Sequence, residues 1–310
     1  IVADELPIHR AGLSTTGPGG EEICGAAADA RGPALARAWF ELLERVSALE
    51  AMHGSGASFD LRSADGRRLG SASRGGVFPE SDAPERWRYA RSNGVALHAD
   101  WRTACDRALF ELAERDRVLR SWHGEIQAEP LELLDPALTS AKSYDWRAYT
   151  FPEPDPESFS RGVEVAGVFG FPRREGAPFV LGLAGRPERA AAVDAATREA
   201  LQLLAFLWGE PPPDVAPAAP TAMGHLDAYQ VPGACERVRR WLEEGHRAYA
   251  APVARPRQRA ALGFVDLTPR WLEGGLRVAK AICPDAVPLV FGDSPLAGHL
   301  PRELRLHPIP

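Results

Sequence analysis

Two stretches of the sequence, residues 41–45 and 111–115, repeat the pattern Glu-x-x-Glu-Arg. On an α-helix, residues i, i+3 and i+4 share one face, so each stretch would place two carboxylates beside a guanidinium group. Carboxylates suit Mg²⁺ and guanidinium groups suit phosphate oxygens, so two such faces brought together would suit a magnesium nucleotide. The candidate metal ligands are Glu41, Glu44, Glu111 and Glu114.

For any one such motif, the alternative is an ordinary surface ion pair worth only about a few tenths of a kcal/mol. The apolar context of the motif repeats as well, because residues 38, 40 and 42 are matched by residues 108, 110 and 112. This repetition favours two related helices that pack in the same way. The matched residues are Ala38, Phe40 and Leu42 in the first copy and Ala108, Phe110 and Leu112 in the second.

Helical periodicity predicts the elements that must position these side chains. A first helix is expected at residues 33–52, with a proline suited to its first turn and a glycine-containing stretch after its end. A second, amphipathic helix is expected at residues 101–122. A third helical stretch at residues 188–208 contains Glu199 and Gln202, which could add a third polar face.

The remaining patterns predict an α+β fold with mainly antiparallel strands. Two apolar runs at residues 162–169 and 178–183 flank a polar turn and predict a hairpin. Residues 1–24 are expected to form an N-terminal lead, and residues 24–27 a loop or turn before the first helix. Further expected elements are strands at 58–62, 261–267, 276–283 and 287–291 and a helix at 236–244.

Residues 209–222 are rich in proline and are expected to form an exposed loop within a single domain of residues 1–310. The chain is 45% hydrophobic and 25% charged, as in ordinary globular proteins. Its net charge of −6 argues against nucleic acid or an acidic membrane as a partner. No apolar run approaches the roughly 18 to 20 residues that span a bilayer, and no signal peptide is evident, so a cytoplasmic protein is expected.

The cysteine and basic residues narrow the chemistry further. The four cysteines lie far apart, with no Cys-x-x-Cys pair and no histidine at ligand spacing, so no zinc site is predicted. Lys142 and Lys280 are the only two lysines, which leaves 34 of the 36 basic residues as arginine. A cation that binds phosphate in this chain is therefore expected to be an arginine.

Short motifs across most of the chain occur in the order in which one enzyme family carries them. Residues 92–96 and 108–116 are similar to Ser-Asn-Gly-x-Ala and Ala-Leu-x-Glu-x-x-Glu-Arg-Asp, and residues 25–51 to a glycine-containing lead into Ser-Ala-x-x-Glu-Ala-x-Glu-Arg-Tyr. Residues 199–202 are similar to Glu-Ala-x-Gln, and residues 225–229 to His-x-x-x-Tyr. In these motifs the chain resembles the YcaO family of ATP-dependent enzymes that modify peptide backbones.

The resemblance implies a YcaO-like mixed architecture, in which ATP and Mg²⁺ are held between glutamate-bearing helices. It also implies phosphorylation of a backbone amide oxygen in a ribosomally made precursor peptide, after a Cys, Ser or Thr side chain or an external nucleophile adds to the carbonyl. Loss of phosphate leaves a thiazoline, an oxazoline or a related group. The nucleotide-binding candidates are Arg37, Glu41, Arg45, Arg107, Glu111, Arg115, Glu199 and Gln202.

Partners are also implied by the resemblance. No segment looks like an added leader-recognition domain, so a separate leader-binding or E1-like protein, or a TfuA-like protein, is expected to deliver the precursor peptide. A homodimer is expected. The C-terminal residues 300–310 are similar to the proline-rich tail of azoline-forming members, which implies that His307, Pro308 and Pro310 fold back into the site and that His307 assists proton transfer. The alternative is a frayed terminus.

Four positions depart from the family's pattern. Arg37 replaces a serine and Arg107 a glutamine, each four residues before a Glu-x-x-Glu-Arg motif. Thr103 replaces a glutamate, and Ala26 replaces the lysine of a Gly-Lys-Gly lead. The two arginines could take over phosphate contacts or could form ion pairs with the glutamates four residues on. A catalytically degenerate scaffold or peptide-binding partner is therefore the alternative to an active cyclodehydratase.

Overall fold

The structure is a computed structural model that describes residues 2–3, 6–132, 138, 141–215, 219–249, 262–272 and 274–309. Its helices are α1 (Leu35–His53), α2 (Arg74–Val77), α3 (Trp101–Trp122), α4 (Arg189–Leu207), α5 (Ala222–Ala228) and α6 (Glu236–Glu244). Its strands are β1 (Val2–Ala3), β2 (Leu6–Pro7), β3 (His9–Thr16), β4 (Glu22–Asp29), β5 (Ser58–Arg62), β6 (Arg68–Ser73), β7 (Trp87–Tyr89), β8 (Val95–His98), β9 (Glu129–Leu131), β10 (Tyr144–Thr150), β11 (Glu164–Pro172), β12 (Val180–Arg186), β13 (Gly263–Asp266), β14 (Arg277–Ile282) and β15 (Val290–Gly292).

Every strand pair within the described residues is antiparallel. One sheet has four strands in the order β12-β11-β10-β9, and another has five in the order β6-β5-β13-β14-β8. The strands β3 and β4 form a hairpin, and β15 pairs with β7. The α+β fold with antiparallel sheets is thus confirmed.

Side chains that alternate along β11 give the four-stranded sheet two buried faces. On one face, Phe169 packs into a core that contains Trp122 and Trp241. On the other face, Val168 packs with Ala196 of α4. The sheet is therefore covered on both sides, which explains why its strands are almost continuously apolar.

The predicted helices agree closely with the observed ones, whereas the loop or turn predicted at residues 24–27 is wrong. The α3 and α6 bounds are those expected, and α1 begins two residues later than predicted. Residues 24–27, expected to be a loop or turn, lie in the middle of β4, and much of the predicted N-terminal lead is the β3–β4 hairpin. Glycine and alanine occur there because α1 packs directly against the strand, as the contacts described below show.

Two other predicted segments agree with the structure over their described residues. Residues 209–215 and 219–221 form no helix or strand, and α5 begins at the predicted end of the proline-rich loop. The strand expected at residues 261–267 is β13, and residue 261 lies outside the described residues. No helix in the described part of the chain has both the length and the apolar character needed to cross a bilayer.

Candidate active site

The candidate site lies where the outer edges of β4, β8 and β12 meet. Among the described residues, each of these strands pairs with a neighbouring strand on one side only. Helix α1 packs against β4 and β8, α3 against β8 and β12, and α4 against β12 and β4. Three helices and three strand edges therefore alternate around one centre.

The two glutamates of the first motif reach different strands. Glu41 accepts a hydrogen bond from the backbone N–H of Ala26 in β4 at 3.0 Å, and Glu44 accepts one from Leu97 in β8 at 2.9 Å. The other carboxylate oxygen of Glu41 pairs with Arg45 at 2.6 Å, and Arg45 also donates to a backbone carbonyl of β4. Glu41 and Arg45 thus brace α1 against β4, whereas Glu44 lines a central cavity.

The second motif repeats this arrangement with the next pair of strands, β8 and β12. Glu111 accepts a hydrogen bond from the N–H of Gly94, immediately before β8, at 3.2 Å. Glu114 is hydrogen-bonded to the backbone of Gly185 in β12. The next residue, Arg115, pairs with Glu114 at 3.3 Å and lines the cavity, unlike Arg45 in the first copy.

Helix α4 completes the circle. Glu199 accepts a hydrogen bond from the N–H of Leu183 in β12 at 2.9 Å. Gln202 bonds to β4 twice, accepting from the N–H of Ala28 and donating to the carbonyl of Ala26, both at 3.3 Å. Each helix therefore offers two acceptors three residues apart, the first to one strand edge and the second to the next. The third polar face predicted on this helix is part of the site.

Glycine lets two of these helices approach the strands closely enough for such bonds. A Cβ on Gly25 would lie 2.2 Å from the carbonyl oxygen of Ala38, and one on Gly182 would lie 2.0 Å from that of Ala196. In both helices the contacted alanine precedes the strand-bound glutamate by three residues. Only glycine permits this backbone contact, so the same packing device occurs at α1 and α4.

Burial and mutual repulsion raise the pKa values of the cavity carboxylates. Burial and the nearby Glu111 raise the pKa of Glu44 to about 8. Burial raises the pKa of Glu111 to about 7, opposed by Arg115. Burial and repulsion from Glu114 raise the pKa of Glu199 to about 7. A bound cation would relieve this repulsion, because it would favour the ionised form of all these groups.

Five arginines line the same cavity, whose volume is about 410 Å³. Arg37 donates to the carbonyl of Ala28 and pairs with Asp29 at 3.0 Å, so it does not form the ion pair with the glutamate four residues on that was one sequence-based alternative. Arg107 likewise forms no ion pair with Glu111 among the described residues. The cavity arginines are Arg37, Arg107, Arg115, Arg186 and Arg198.

The two remaining departures from the family pattern have local structural roles. Thr103, where a glutamate was expected, donates both its N–H and its hydroxyl group to Asp100, the N-terminal cap of α3, each at 2.8 Å. Ala26, where a lysine was expected, supplies the backbone N–H and carbonyl that bind Glu41 and Gln202. Neither side chain is a cavity-lining group.

Two basic residues of this region were not predicted. Arg186, at the end of β12, lines the cavity. Lys280 of β14 is buried, and its Nζ donates to the carbonyls of Arg91 and Asn93 at 2.8 and 2.6 Å. Burial lowers the pKa of Lys280 to about 8, against an opposing effect of Glu111. The sequence signal for Lys280 was its position as a lysine within an apolar strand of an arginine-rich chain.

The C-terminal tail folds back onto the body of the protein, so a frayed terminus is ruled out for residues 301–309. His307 and Pro308 are buried and do not line the cavity, and both ring nitrogens of His307 face groups within the fold. Arg115 is near enough to contribute to the lowered pKa of His307, after burial and His225. Pro310 lies outside the described residues. A catalytic role for His307, Pro308 and Pro310 stays a prediction.

A model of one protein family, described as YcaO cyclodehydratase, ATP- and Mg²⁺-binding, matches residues 71–287, which is more than half of the chain. The chain belongs to the YcaO family. The matched span contains α3, α4 and two of the three strand edges, whereas α1 lies before it. The family match therefore includes the second motif but not the first, which joins the site through the contacts of α1.

Several solved structures have a similar fold. YcaO from Methanopyrus kandleri, solved with AMPPCP and Mg²⁺, is 19% identical, with a TM-score of 0.57 over 89% of this chain and 82% of that one. A chain of the E. coli microcin synthetase McbBCD complex is 11% identical, with a TM-score of 0.60 over 89% and 88%. A heterocyclase solved with substrate and cofactor is 16% identical, with a TM-score of 0.52 over 82% of this chain but only 37% of that one. A comparison with curated protein sequences gave no significant match.

Proposed function

We propose that this YcaO protein uses ATP and Mg²⁺ to activate backbone amides of a ribosomally made precursor peptide, which leads to a thiazoline, an oxazoline or a related modification. The observation that carries the proposal is one cavity in which carboxylates from three helices face arginines. The family's description as ATP- and Mg²⁺-binding and the AMPPCP- and Mg²⁺-bound relative support the choice of ligand. The cavity carboxylates are Glu44, Glu111, Glu114 and Glu199.

The residues of the cavity fit a bound anion and a bound cation. Nη1 of Arg115 is buried and has no hydrogen-bond partner among the described residues, so a donor is left for a phosphate oxygen. The described side chains include no ready-made group of three or more His, Cys, Asp or Glu residues at metal-binding spacing. Glu44, Glu111, Glu114 and Glu199 would therefore hold Mg²⁺ together with phosphate or water oxygens. When bound, Mg²⁺ supplies charge neutralisation at the phosphoryl group.

The protein's own groups have two tasks in this proposal. Backbone N–H groups in or next to strands fix Glu44, Glu111 and Glu199, which orients each carboxylate before a ligand arrives. Because their pKa values lie at about 7 to 8, these carboxyls are partly protonated at neutral pH and must ionise when a cation binds. Arg115 would stabilise the negative charge that develops on the transferred phosphoryl oxygens.

The proposal includes protein partners. A precursor peptide is the substrate, and a separate leader-binding, E1-like or TfuA-like protein brings it to the cavity, with this chain acting as a homodimer. The E. coli relative was solved as a microcin synthetase complex, which supports a multi-protein arrangement. Co-purification of this chain with the products of neighbouring genes would identify the partner. Size-exclusion chromatography with light scattering would test the dimer.

A non-catalytic scaffold that binds a peptide or a partner is the second candidate, because of the state of the first motif. Both oxygens of Glu41 are engaged within the fold, by Ala26 and by Arg45, so one of the four predicted metal ligands is not available in the cavity. Arg37 is likewise paired with Asp29. These contacts would let the protein keep the family fold without turning over ATP.

Nucleotide binding and peptide modification together distinguish the two candidates. We expect calorimetry to show Mg-ATP binding, with proton release that differs between buffers of different ionisation enthalpy. Glu44→Gln and Glu111→Gln should weaken this binding at least tenfold, whereas Glu244→Gln on α6 should not. With partner and precursor peptide, mass spectrometry should show loss of one water per ring formed. If the wild type showed no heat and no melting shift at millimolar Mg-ATP, the scaffold would be the better account.

A further inference from the structure

Arg107 and Arg186 are the two cavity arginines that form no ion pair with a carboxylate among the described residues. Within the described residues, neither lies within ion-pairing distance of an Asp or Glu side chain. The other three cavity arginines each have such a partner: Asp29 for Arg37, Glu114 for Arg115 and Asp194 for Arg198. A ligand anion would give the unpaired guanidinium groups the partner that the protein does not provide.

The two unpaired arginines act on each other. Arg107 projects from α3 and Arg186 follows the edge strand β12, and both line the same cavity. Burial and the positive charge of Arg107 lower the pKa of Arg186, whereas Glu114 and Glu199 act in the opposite direction, so the two guanidinium groups are close enough to repel even with these carboxylates nearby. Nη1 of Arg186 donates a hydrogen bond to the carbonyl of the preceding residue, Gly185, at 2.5 Å. An anion between the two arginines would replace this repulsion with two attractions.

The arginines also differ in depth, which bears on the shape of the anion. Arg107 is exposed at the surface, Arg186 is half-buried, and the side chain of Arg115 is only 14% exposed. Buried Nη1 of Arg115 still lacks a hydrogen-bond partner among the described residues. Donors at successive depths suit an extended chain of phosphates better than a single phosphate ion. Two of these three arginines, Arg107 and Arg186, lie outside the Glu-x-x-Glu-Arg motifs.

We infer that Arg107, Arg186 and Arg115 form an anion subsite that holds a polyphosphate chain without a divalent cation. The inference deepens the proposed function and rests on it in one respect, namely that ATP supplies the polyphosphate during catalysis. Inorganic tripolyphosphate offers the same chemistry without the nucleoside. In this protein, arginine would therefore take over part of the charge neutralisation that Mg²⁺ provides.

Isothermal titration of the full chain in the presence of EDTA tests the inference. The probes are sodium tripolyphosphate and ATP, each compared with the same titration in Mg²⁺. We expect both probes to bind in EDTA, and Arg107→Gln and Arg186→Gln each to weaken that binding about tenfold, because each removes a charged hydrogen-bond donor. Arg102→Gln is the matched control, since Arg102 lies on the same helix, is 67% exposed and pairs with Asp106 outside the cavity.

The outcomes separate this inference from the proposed function. Binding of ATP only when Mg²⁺ is present, or equal weakening by Arg102→Gln and Arg107→Gln, would overturn the inference and leave the function standing. Tripolyphosphate binding in EDTA without any ATP-dependent peptide modification would support the inference and remove the function. Arg107→Lys guards against a folding artefact, because it keeps the charge and should retain more affinity than Arg107→Gln. Melting temperatures of all variants confirm that each is folded.

Discussion

The Nδ1 atoms of His225 and His307 lie 3.4 Å apart, and backbone groups select a complementary tautomer for each ring. The N–H of Gly292 donates to Nε2 of His225 at 2.7 Å, so the proton of His225 must be on Nδ1. Nε2 of His307 lies 2.7 Å from the carbonyl of Val290 and must donate to it, so Nδ1 of His307 is an acceptor. Each ring is therefore neutral, because a second proton on His225 would break its contact with Gly292 and a second proton on His307 would face the Nδ1–H of His225.

This pair predicts a loss of stability in mild acid. Burial lowers the pKa of His225 to about 4, below the usual value of 6.5, and the pKa of His307 is lowered by burial, His225, His123 and Arg115. Between the folded pKa of about 4 and the unfolded pKa of 6.5, the unfolded chain binds more protons than the folded one. The free energy of unfolding therefore falls as the pH falls from about 6.5 towards 4. His225 alone should account for about 2 kcal/mol between pH 7 and pH 5.

Denaturant unfolding at pH 7 and pH 5 measures this effect. His225→Gln should reduce the difference between the two pH values, whatever it does to stability at pH 7. His9→Gln, at an exposed histidine, is the matched control. The comparison with variants is needed because Glu44, Glu111 and Glu199, with raised pKa values, change stability in the opposite direction. An unchanged pH dependence in His225→Gln would contradict the prediction.

The packing of Gly25 against α1 predicts a large effect for a single methyl group. In Gly25→Ala, the new Cβ would overlap the carbonyl of Ala38 and the N–H of Leu42, at 2.2 and 2.5 Å, so α1 would have to move away from β4. The expected cost is about 1–3 kcal/mol of unfolding free energy. Gly12 lies opposite Ala26 in β3, and a Cβ added there would have no atom within 4 Å, so Gly12→Ala is the matched control. Equal midpoints of chemical denaturation for the two variants would show that the contact is unimportant.

Helix α1 also shows which parts of the site the sequence could predict. The Glu-x-x-Glu-Arg spacing predicts α1 and α3 because carboxylates and apolar residues follow the helical period in both. Strand β4 carries no such signal, since its Gly and Ala residues have low strand propensity, and the reason for Gly25 is its close contact with Ala38 of α1. The same period cannot show that Glu41 turns to β4 while Glu44 turns to the cavity.

The cations of the site show a similar limit. Arg37 and Arg107 occupy equivalent positions in the two motifs, yet Arg37 pairs with Asp29 and Arg107 has no carboxylate partner within the described residues. The difference arises because β4 ends at Asp29, beside Arg37, whereas no carboxylate of the described residues pairs with Arg107 beside α3. Arg186 could not be recognised among so many arginines, because its place in the cavity depends on the pairing of β12 at a sheet edge.

Lys280 is predicted to position Glu111 without touching it. Its ammonium group binds the carbonyls of Arg91 and Asn93, and the next residue, Gly94, donates the N–H that holds Glu111. Lys280→Met should leave two carbonyls without their donor, cost about 1–3 kcal/mol of stability and weaken Mg-ATP binding. Lys142→Met, at the other lysine of the chain, should change neither quantity. Calorimetry at a temperature where both variants are folded would separate lost affinity from lost stability.

Glu44 is predicted to lower the stability of the ligand-free protein and to strengthen the binding of Mg-ATP. Its pKa is raised to about 8 by burial and by Glu111, so the charged form is unfavourable in the folded protein without ligand. A carboxyl group with a raised pKa contributes stability below its unfolded pKa of about 4.5, and this contribution is lost as the pH rises through its folded pKa of about 8.

Glu44→Gln keeps an oxygen that can accept the hydrogen bond from Leu97 but never acquires the charge. In EDTA, this variant should therefore gain stability relative to the wild type as the pH is raised from 5 to 9, while its melting shift with Mg-ATP is lost. Glu244→Gln, on the exposed end of α6, controls for a general change in charge. A variant that gains nothing over this control at pH 9 would show that the buried charge of Glu44 is already neutralised within the protein.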